Sequence, residues 1–347
     1  MSGIYPIAFA IVSEETNDNW EWFLTHFKAA IGTDRHMCFV SDRNRGIIQG
    51  VKNVFPDSVH AYCYKHLTLN LRDKFKGANK NHRDAVLHYF QQCAYANTKP
   101  QFNRAVEKLR AVGGPKACKF LSDLPYEKWS NAFFVGQRYG QMTSNGCESW
   151  NSQIKMRRLL PITTMIDAIR ILLMEQIAGR LDEAAAWESV LCDHVDTQIR
   201  DAVDKGRSWL VRKSSEFVWE IFSTPNAVVD VRAGTCSCMS WQINGIPCEH
   251  AAVVIFLKMG EAYQYIDHCY HTSTFRQCYS NSVLPFVQPT LDPGFAIIGP
   301  PEQHKRRGRP KRKRIPSRGE IMPRKIRCGR CKAIGSHNKK SCNWGAD

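Results

Sequence analysis

Four side chains of the types that bind zinc in proteins lie close together in the second half of the chain. The segment CSCMSWQINGIPCEH contains Cys236, Cys238, Cys248 and His250 in a C-x-C-x9-C-x-H pattern. Three thiolates and one imidazole complete a tetrahedral site and leave no position open for water or substrate. Ordinary buried cysteines are the alternative, but they leave the two short spacings unexplained. The pattern therefore predicts a structural zinc site.

A second group of cysteines and a histidine lies near the C-terminus. Cys328, Cys331, His337 and Cys342 follow a C-x2-C-x5-H-x4-C pattern. The pattern resembles the CCHC zinc knuckle, which binds single-stranded nucleic acid and some proteins. The usual knuckle has four residues between its second Cys and its His, whereas this one has five between Cys331 and His337. We expect a second zinc ion here, with single-stranded nucleic acid as a further partner.

Composition indicates the compartment in which these cysteines lie. The chain has 347 residues, 14 cysteines and no run of 18 apolar residues, and its N-terminus lacks the features of a secretory signal. We therefore expect an intracellular protein without a membrane partner. In a reducing compartment, metal binding is a better explanation of cysteine spacing than disulfides.

The positive charge is concentrated in the C-terminal tail. The net charge is +16. The segment from Lys305 to Arg330 contains 13 Lys and Arg and one acid, Glu320. This asymmetry predicts binding to a polyanion, with DNA the leading partner. A short run there resembles an AT-hook, whose Gly and Arg enter the narrow minor groove of A/T-rich DNA. The run consists of Arg306, Arg307, Gly308, Arg309, Pro310 and Lys311.

The same basic run also predicts import into the nucleus. A solvated basic linker without groove preference is the alternative. The Pro- and Gly-rich segment 285–301 precedes this run. The tail is too charged to form a hydrophobic core, so it can fold only where a bound metal stabilises it. We expect the tail to be disordered outside the knuckle.

Alternating strand and helix patterns predict an α/β sheet at the N-terminus. We expect strands at 6–12, 37–40 and 59–64, and helices at 19–31, behind an Asp18 cap, and at 46–54. Helical patterns then dominate 66–120, with breaks at Gly77, Pro100 and the 113–115 turn. Further helices are expected at 162–185 and 190–204, a strand-like segment at 217–231, and a helix at 251–259.

The cluster at 236–250 resembles the SWIM zinc finger. In that finger a β-hairpin supplies the first Cys pair, and the start of a helix supplies the second Cys and the His. Apolar residues 228–231 precede Cys236, and Cys248 and His250 open an apolar helix. The resemblance implies a small hairpin-and-helix fold around one zinc ion.

Several segments, in order, resemble the transposase domain of Mutator-like elements. They are PIAFAIVSEETNDNWEWFLTHFKAAIG, CFVSDRNRGIIQGVKNVFP, HAYCYKHLTLNL and TSNGCESWNSQIK. Together with the SWIM-like finger and the knuckle, the resemblance covers nearly the whole chain. It implies a ribonuclease H-like fold with a helical insertion and an Asp, Asp, Glu triad that holds two divalent metals.

The resemblance assigns roles to particular residues. Asp42 stands at the family's second catalytic Asp and Glu148 at its Glu, while Cys63 and His66 match its C-x2-H motif. Mg²⁺ or Mn²⁺ is the expected cofactor only if the protein is active. Without the family context, the preferred interpretation is that Asp42 starts a turn or helix and that Glu148 is an acid in the first turn of a helix.

This sequence is expected to differ from the family in lacking the first catalytic Asp. In the family it lies on a strand before the segment that matches PIAFAIV, and here that segment begins five residues after Met1. Asp18 and Asp34 follow the matching strand, so they are no substitutes. We expect an incomplete triad in a partial ribonuclease H-like core.

The predicted organisation has five parts. They are a transposase core at 1–160 with a helical insertion at about 67–140, a helical region at 161–215, a SWIM-type finger at 216–262, a linker and basic arm at 285–326, and a knuckle at 327–343.

The leading expectation for function is a nuclear, zinc- and DNA-binding protein derived from a transposase, with self-association as a further expectation. An active transposase, a transcription regulator resembling the far-red-response proteins, and an RNA-binding protein are the alternatives.

Overall fold

The computed structural model describes residues 5–32, 37–259, 263–285, 326–329 and 331–335. Eleven α-helices and eight short strands lie within these residues, so the mixed α/β class is confirmed. None of the described helices is both long enough and apolar enough to cross a membrane.

The N-terminal unit is a two-stranded parallel sheet with two helices. Its elements are α1 (Asn17–Ile31), β1 (Cys38–Ser41), α2 (Arg45–Val54) and β2 (Val59–Tyr62). β1 and β2 pair in parallel, with Cys38 opposite Val59 and Ser41 opposite Tyr62. Parallel strands need a crossover between them, and α2 supplies it. The predicted alternation of strands and helices is confirmed from α1 to β2.

Small residues let the two helices of this unit pack closely. A Cβ on Gly50 of α2 would lie 2.8 Å from Cδ1 of Leu24 in α1. Leu24, Val51 and Phe55 form the buried centre of the contact. α1 and α2 therefore form one apolar layer beside the sheet.

The segment 6–12 forms no strand, so that prediction is wrong. Ile7, Phe9 and Ile11 are 67%, 41% and 45% exposed. A strand needs a partner for its backbone groups. Within the described residues, the sheet of β1 contains β2 and no third strand. The cap of α1 is also Thr16 rather than Asp18, because Oγ1 of Thr16 accepts a hydrogen bond from the backbone N of Asn19 at 3.1 Å.

The central region is helical, as predicted. It contains α3 (Tyr64–Lys74), α4 (Lys80–Tyr95) and α5 (Lys99–Ser122), packed around Phe90 and Trp129, whose rings stack 5.0 Å apart. Gly77 lies between α3 and α4, and Pro100 in the first turn of α5. Gly114 has a φ of 57°, which favours glycine, and kinks α5 before Pro115. The breaks predicted at Gly77 and at 113–115 are confirmed, whereas the break predicted at Pro100 lies before Lys99.

Three helices lead to the second sheet. They are α6 (Asn145–Gln153), α7 (Ile162–Ala185) and α8 (Asp193–Gly206). α7 has the bounds predicted for the helix at 162–185. α8 begins and ends slightly later than the helix predicted at 190–204. Ile154 of the turn after α6 and Ile169 of α7 are buried together in one apolar cluster.

The second sheet is antiparallel and has four strands in chain order. They are β3 (Leu210–Lys213), β4 (Val218–Phe222), β5 (Ala227–Asp230) and β6 (Thr235–Cys236). The strand-like segment 217–231 is therefore a hairpin. The chain continues through α9 (Ser240–Asn244), α10 (Glu249–Val254), a π-helical turn Ile255–Met259, and α11 (Thr272–Tyr279).

A two-stranded hairpin near the C-terminus completes the described structure. It consists of β7 (Ile326–Arg327) and β8 (Ile334–Gly335). The described residues include two strands of a parallel sheet, so the ribonuclease H-like core stays a prediction. The predicted domain boundaries and the disordered tail likewise stay predictions.

Candidate metal centre

A hairpin and the first turn of a helix carry the four predicted zinc ligands. β5 and β6 pair antiparallel, and Cys236 ends β6. Cys238 follows just before Met239, whose φ of 64° turns the chain into α9. Cys248 is the N-cap of α10, and His250 lies in its first turn. The chain thus brings all four donors to one place, as their spacing predicts.

The donor atoms of this cluster face one another. The three Sγ atoms and a ring nitrogen of His250 all lie within 4.8 Å of one another. Nδ1 of His250 is 3.7 Å from Sγ of Cys236 and 3.9 Å from Sγ of Cys248. A tetrahedral ion with ordinary Zn–S and Zn–N bonds holds such atoms about 3.6 Å apart. The donors therefore fit a structural zinc that is bound through Nδ1.

Hydrogen bonds within the cluster change the proton affinity of its members. Bonds from the thiols of Cys236 and Cys248 lower the pKa of Cys238. Bonds with Cys236 and Cys238 raise the pKa of His250 to about 9. Zinc binds thiolates and neutral imidazole, so protons compete with it for the same atoms. Metal affinity should therefore fall as the pH falls.

Two residues hold the ligands in place from outside the donor set. Nε2 of Gln242 donates to the carbonyl of Cys236 at 2.9 Å, and the N–H of Cys236 donates to Oε1 of Gln242 at 3.2 Å. The ring of Trp209 stacks on that of His250 with centroids 5.0 Å apart and an interplanar angle of 23°. Sequence reasoning missed both, because no local pattern links Trp209 to the ligands. The polar character of Gln242 within the ligand spacer was the one available signal.

The residues assigned to the catalytic core lie at the carboxyl edge of the parallel sheet. Asp42 directly follows β1, and Cys63 directly follows β2. The backbone N of Cys63 donates to the carbonyl of Ser41 at 2.6 Å. Sγ of Cys63 accepts a hydrogen bond from the backbone N of Ser144 at 3.2 Å. This contact brings the start of α6, which carries Glu148, to the same edge.

Protein groups already contact the acids at this edge. Oδ1 of Asp42 accepts a hydrogen bond from the backbone N of Asn44 at 3.0 Å. Glu148 forms an ion pair with Lys65, and its Oε1 lies 3.8 Å from Nε2 of His66. Oε1 of Glu148 and Nδ1 of His66 are both buried and have no hydrogen-bond partner. The predicted C-x2-H motif therefore lies beside the predicted Glu.

Among the described residues, the carboxyl edge does not gather the donor atoms that a pair of divalent metals needs. Mg²⁺ takes oxygen ligands, and a two-metal site needs carboxylates that the ions share. Among the described residues, the cluster at 236–250 is the one group of three or more Cys, His, Asp or Glu side chains with donor atoms close enough to hold an ion. The Lys65 ammonium also lies against Glu148, where a cation would have to bind.

A buried histidine lies at the base of this edge. His60 is 6% exposed. Oγ of Ser41 donates to the carbonyl of Asp42 at 2.7 Å, so it accepts from Nε2 of His60 at 2.8 Å. Burial lowers the pKa of His60 to about 4, and Lys128 acts in the same direction. The ring is therefore neutral near pH 7, with its proton on Nε2.

Two family models match parts of the chain. Residues 1–70 match the MULE transposase domain, and residues 224–258 match the SWIM zinc finger. These matches are consistent with a zinc-binding protein derived from a MULE-type transposase. The predicted resemblance to both families is confirmed. No curated protein and no solved structure matches the chain significantly.

The matched ranges contain some of the predicted site residues. The SWIM match contains all four zinc ligands, whereas the MULE match contains Asp42, Cys63 and His66 but ends before Glu148. The role of Glu148 therefore stays a prediction based on the shorter motif around it.

The structure describes half of the predicted knuckle. Cys328 and Cys331 lie between β7 and β8, where the N–H of Cys328 donates to the carbonyl of Ala333 at 2.9 Å. His337, Cys342 and the basic run 306–311 lie outside the described residues. The second zinc and the AT-hook-like arm stay predictions.

Proposed function

We propose that this transposase-derived protein is a nuclear DNA-binding protein whose SWIM zinc is structural. The observation that carries the structural role of the zinc is the closed donor set: Cys236, Cys238, Cys248 and His250 face one another within 4.8 Å. A zinc ion with four protein ligands has no position for a substrate. Its role is to join the β5–β6 hairpin to α10.

Charge supports DNA as the partner. The chain carries +16 overall, with 13 Lys and Arg against one acid between Lys305 and Arg330. An arm of this charge gains affinity by releasing the counterions of DNA. Its Arg-Gly-Arg-Pro run suits the narrow minor groove of A/T-rich duplexes, and the same run suits nuclear import.

The protein is further proposed to bind DNA without cutting it. Asp42 and Glu148 are the acids that match the family's catalytic positions, and protein groups contact both of them. Among the described residues, neither Asp42 nor Glu148 belongs to a group of three or more side chains that could hold an ion. Two carboxylates make a weak site for the two ions that in-line attack on phosphate requires.

The test is duplex binding and strand cleavage measured in parallel, with Mg²⁺ or Mn²⁺, on the native chain and on Glu148→Gln. The expected result is equal binding by both proteins and no cleavage by either. Metal-dependent cleavage that Glu148→Gln abolishes would show an active transposase and overturn the proposal.

Salt dependence tests the DNA-binding part separately. If the arm makes about 8 phosphate contacts, log affinity should fall with log salt at a slope of about −7. Binding that is insensitive to salt would contradict a phosphate-based interaction. A preference for single-stranded RNA over an A/T-rich duplex would favour the RNA-binding alternative.

A further inference from the structure

The near-neutral body of the protein contains a strongly basic region. Between Tyr64 and Lys128 there are 13 Lys and Arg against 5 Asp and Glu, a net charge of +8. Residues 1–304 together carry a net charge of +2, so the rest of that range carries −6. The basic region coincides with the helices α3, α4 and α5.

Five of these cations belong to segments that meet at one end of the helical bundle. The turn between α3 and α4 and the kink of α5 come together around Phe75. Nζ of Lys116, just after the kink, lies 5.9 Å from the centre of the Phe75 ring, and the ring of His82 lies 5.8 Å from it. A Cβ on Gly113 would lie 3.5 Å from Cζ of Phe75. We call this end the bundle tip. Its cations are Lys74, Lys76, Lys80, Arg83 and Lys116.

Four of the five cations of the bundle tip are exposed, and none of the five forms an ion pair with a described residue. Lys74, Lys76, Lys80 and Lys116 are exposed, and Arg83 is half-buried. Among the described residues, no Asp or Glu oxygen lies within 4 Å of any of their charged nitrogens. Arg170, Arg200 and Lys205, elsewhere in the chain, are each paired with an acid. Unpaired clustered charge raises the local positive potential.

We infer that the bundle tip is a second DNA-binding surface, which contacts the phosphate backbone of a duplex. The inference rests on the proposed DNA binding and adds a site separate from the C-terminal arm. Lysines supply mobile point charges that suit phosphates and read no base sequence. The surface therefore contributes affinity and positioning without sequence specificity.

The surface chemistry favours DNA over a protein partner. Protein interfaces depend on a few large, apolar or aromatic anchors. Between Tyr64 and Lys128, Tyr95 is the one large hydrophobic side chain that is exposed, at 43%. Tyr95 ends α4, whereas Lys80 begins it, so Tyr95 lies at the far end of that helix. The bundle tip thus offers charge without an anchor.

The test compares two triple variants of the full chain that lose the same charge. Lys76→Gln/Lys80→Gln/Lys116→Gln neutralises the bundle tip, and Lys52→Gln/Lys155→Gln/Lys258→Gln removes three exposed lysines elsewhere. Affinity for a duplex of mixed sequence is measured over a range of salt concentrations. The tip variant should lower the magnitude of the salt slope by about 2.7, and the control should leave it nearly unchanged.

Further variants separate charge from folding. Lys76→Arg/Lys80→Arg/Lys116→Arg should keep the native slope. If loss of the Lys116 contact with Phe75 lowers the melting temperature, Lys74→Gln/Lys76→Gln/Lys80→Gln replaces the tip variant.

The outcomes distinguish the two proposals. Equal slopes for the tip and control variants, with DNA binding intact, would overturn the bundle tip and leave the proposed function standing. Absence of binding by the native chain would overturn both.

Discussion

The SWIM cluster and the carboxyl edge of the parallel sheet both gather side chains of types that bind metals, and they differ in what those side chains contact. At the SWIM cluster, Sγ of Cys236 and Sγ of Cys248 lie 3.7 and 3.9 Å from Nδ1 of His250. At the carboxyl edge of the parallel sheet, Glu148 pairs with Lys65 and Cys63 accepts a hydrogen bond from Ser144. The zinc donors contact one another and can share an ion, whereas Glu148 and Cys63 already contact other protein groups.

The difference shows that residue type alone does not make a metal site. Donors bind an ion when they face a common point and contact mainly one another, because a hydrogen bond or ion pair to any other group must first be broken. The zinc ligands satisfy this condition. Asp42 and Glu148 do not, since backbone and ammonium groups already contact them.

The largest expected effect comes from removing a zinc ligand. Cys248→Ser should abolish zinc binding at the SWIM cluster and unfold the hairpin and α10, because zinc contributes about 10 to 16 kcal/mol in small zinc modules. Zinc content and hydrogen exchange of residues 227–259 measure the effect.

Cys278→Ser is the matched control, since Cys278 is exposed and lies outside the cluster. It should keep the native zinc content. Retention of the full zinc content by Cys248→Ser would contradict the assignment of the ligand.

The second effect concerns the carboxyl edge and depends on pH. The folded state holds the pKa of His60 at about 4, whereas an unfolded chain has the ordinary value of about 6.5. The unfolded state therefore binds the proton more readily. The neutral His60 ring is compatible with the folded state above pH 6.5. As the pH falls from 6.5 to 4, the free energy of unfolding should decrease by about 3 kcal/mol.

Urea unfolding of the native chain and of His60→Gln between pH 7 and pH 4 measures this contribution. The variant should lose less stability over this range than the native chain. His26→Gln, which replaces an exposed histidine, should keep the native pH dependence. Parallel curves for the native chain and His60→Gln would refute the buried, neutral ring.

A third, smaller effect concerns how closely α8 packs against the zinc module. A Cβ on Gly206 would overlap the side chain of Val253 in α10 and lie 3.1 Å from Cε3 of Trp209. Gly206→Ala should therefore cost about 1 to 3 kcal/mol of unfolding free energy. It should also weaken zinc binding through displacement of the ring that stacks on His250.

Gly179→Ala in α7 is the control with the opposite expected sign. A Cβ on Gly179 would meet no atom of the described residues within 4 Å, so the change should stabilise the helix by up to about 1 kcal/mol. Thermal unfolding that shows the same sign for both variants would contradict the close contact at Gly206.

The smallest effect is expected from Glu148. Its ion pair with Lys65 is partly exposed, at 38% and 44% for the two side chains. Exposed pairs of this kind contribute less than about 1 kcal/mol. Glu148→Gln should therefore change the unfolding free energy by less than that amount, in sharp contrast to Cys248→Ser. A loss of several kcal/mol would show that Glu148 is a structural member of the edge.

The sequence by itself determined the features that depend on near neighbours in the chain. The zinc ligands lie between Cys236 and His250, so their spacing already limits where they can meet. The helix Ile162–Ala185 and the kink at Gly114 follow from apolar pattern and backbone preference, which act over a few residues. The helix and the kink are confirmed, and the four donor atoms lie where they fit the predicted zinc.

Tertiary structure decided the features that join distant segments. The apolar run 6–12 reads as a strand but has no partner in the described sheet, and Glu148 meets Lys65 from 83 residues away. Trp209 on His250 and Lys116 on Phe75 are likewise contacts that no local pattern reveals. The physical reason is that strand pairing, charge pairing and ring stacking depend on where the folded chain places its partners, which short-range spacing does not encode.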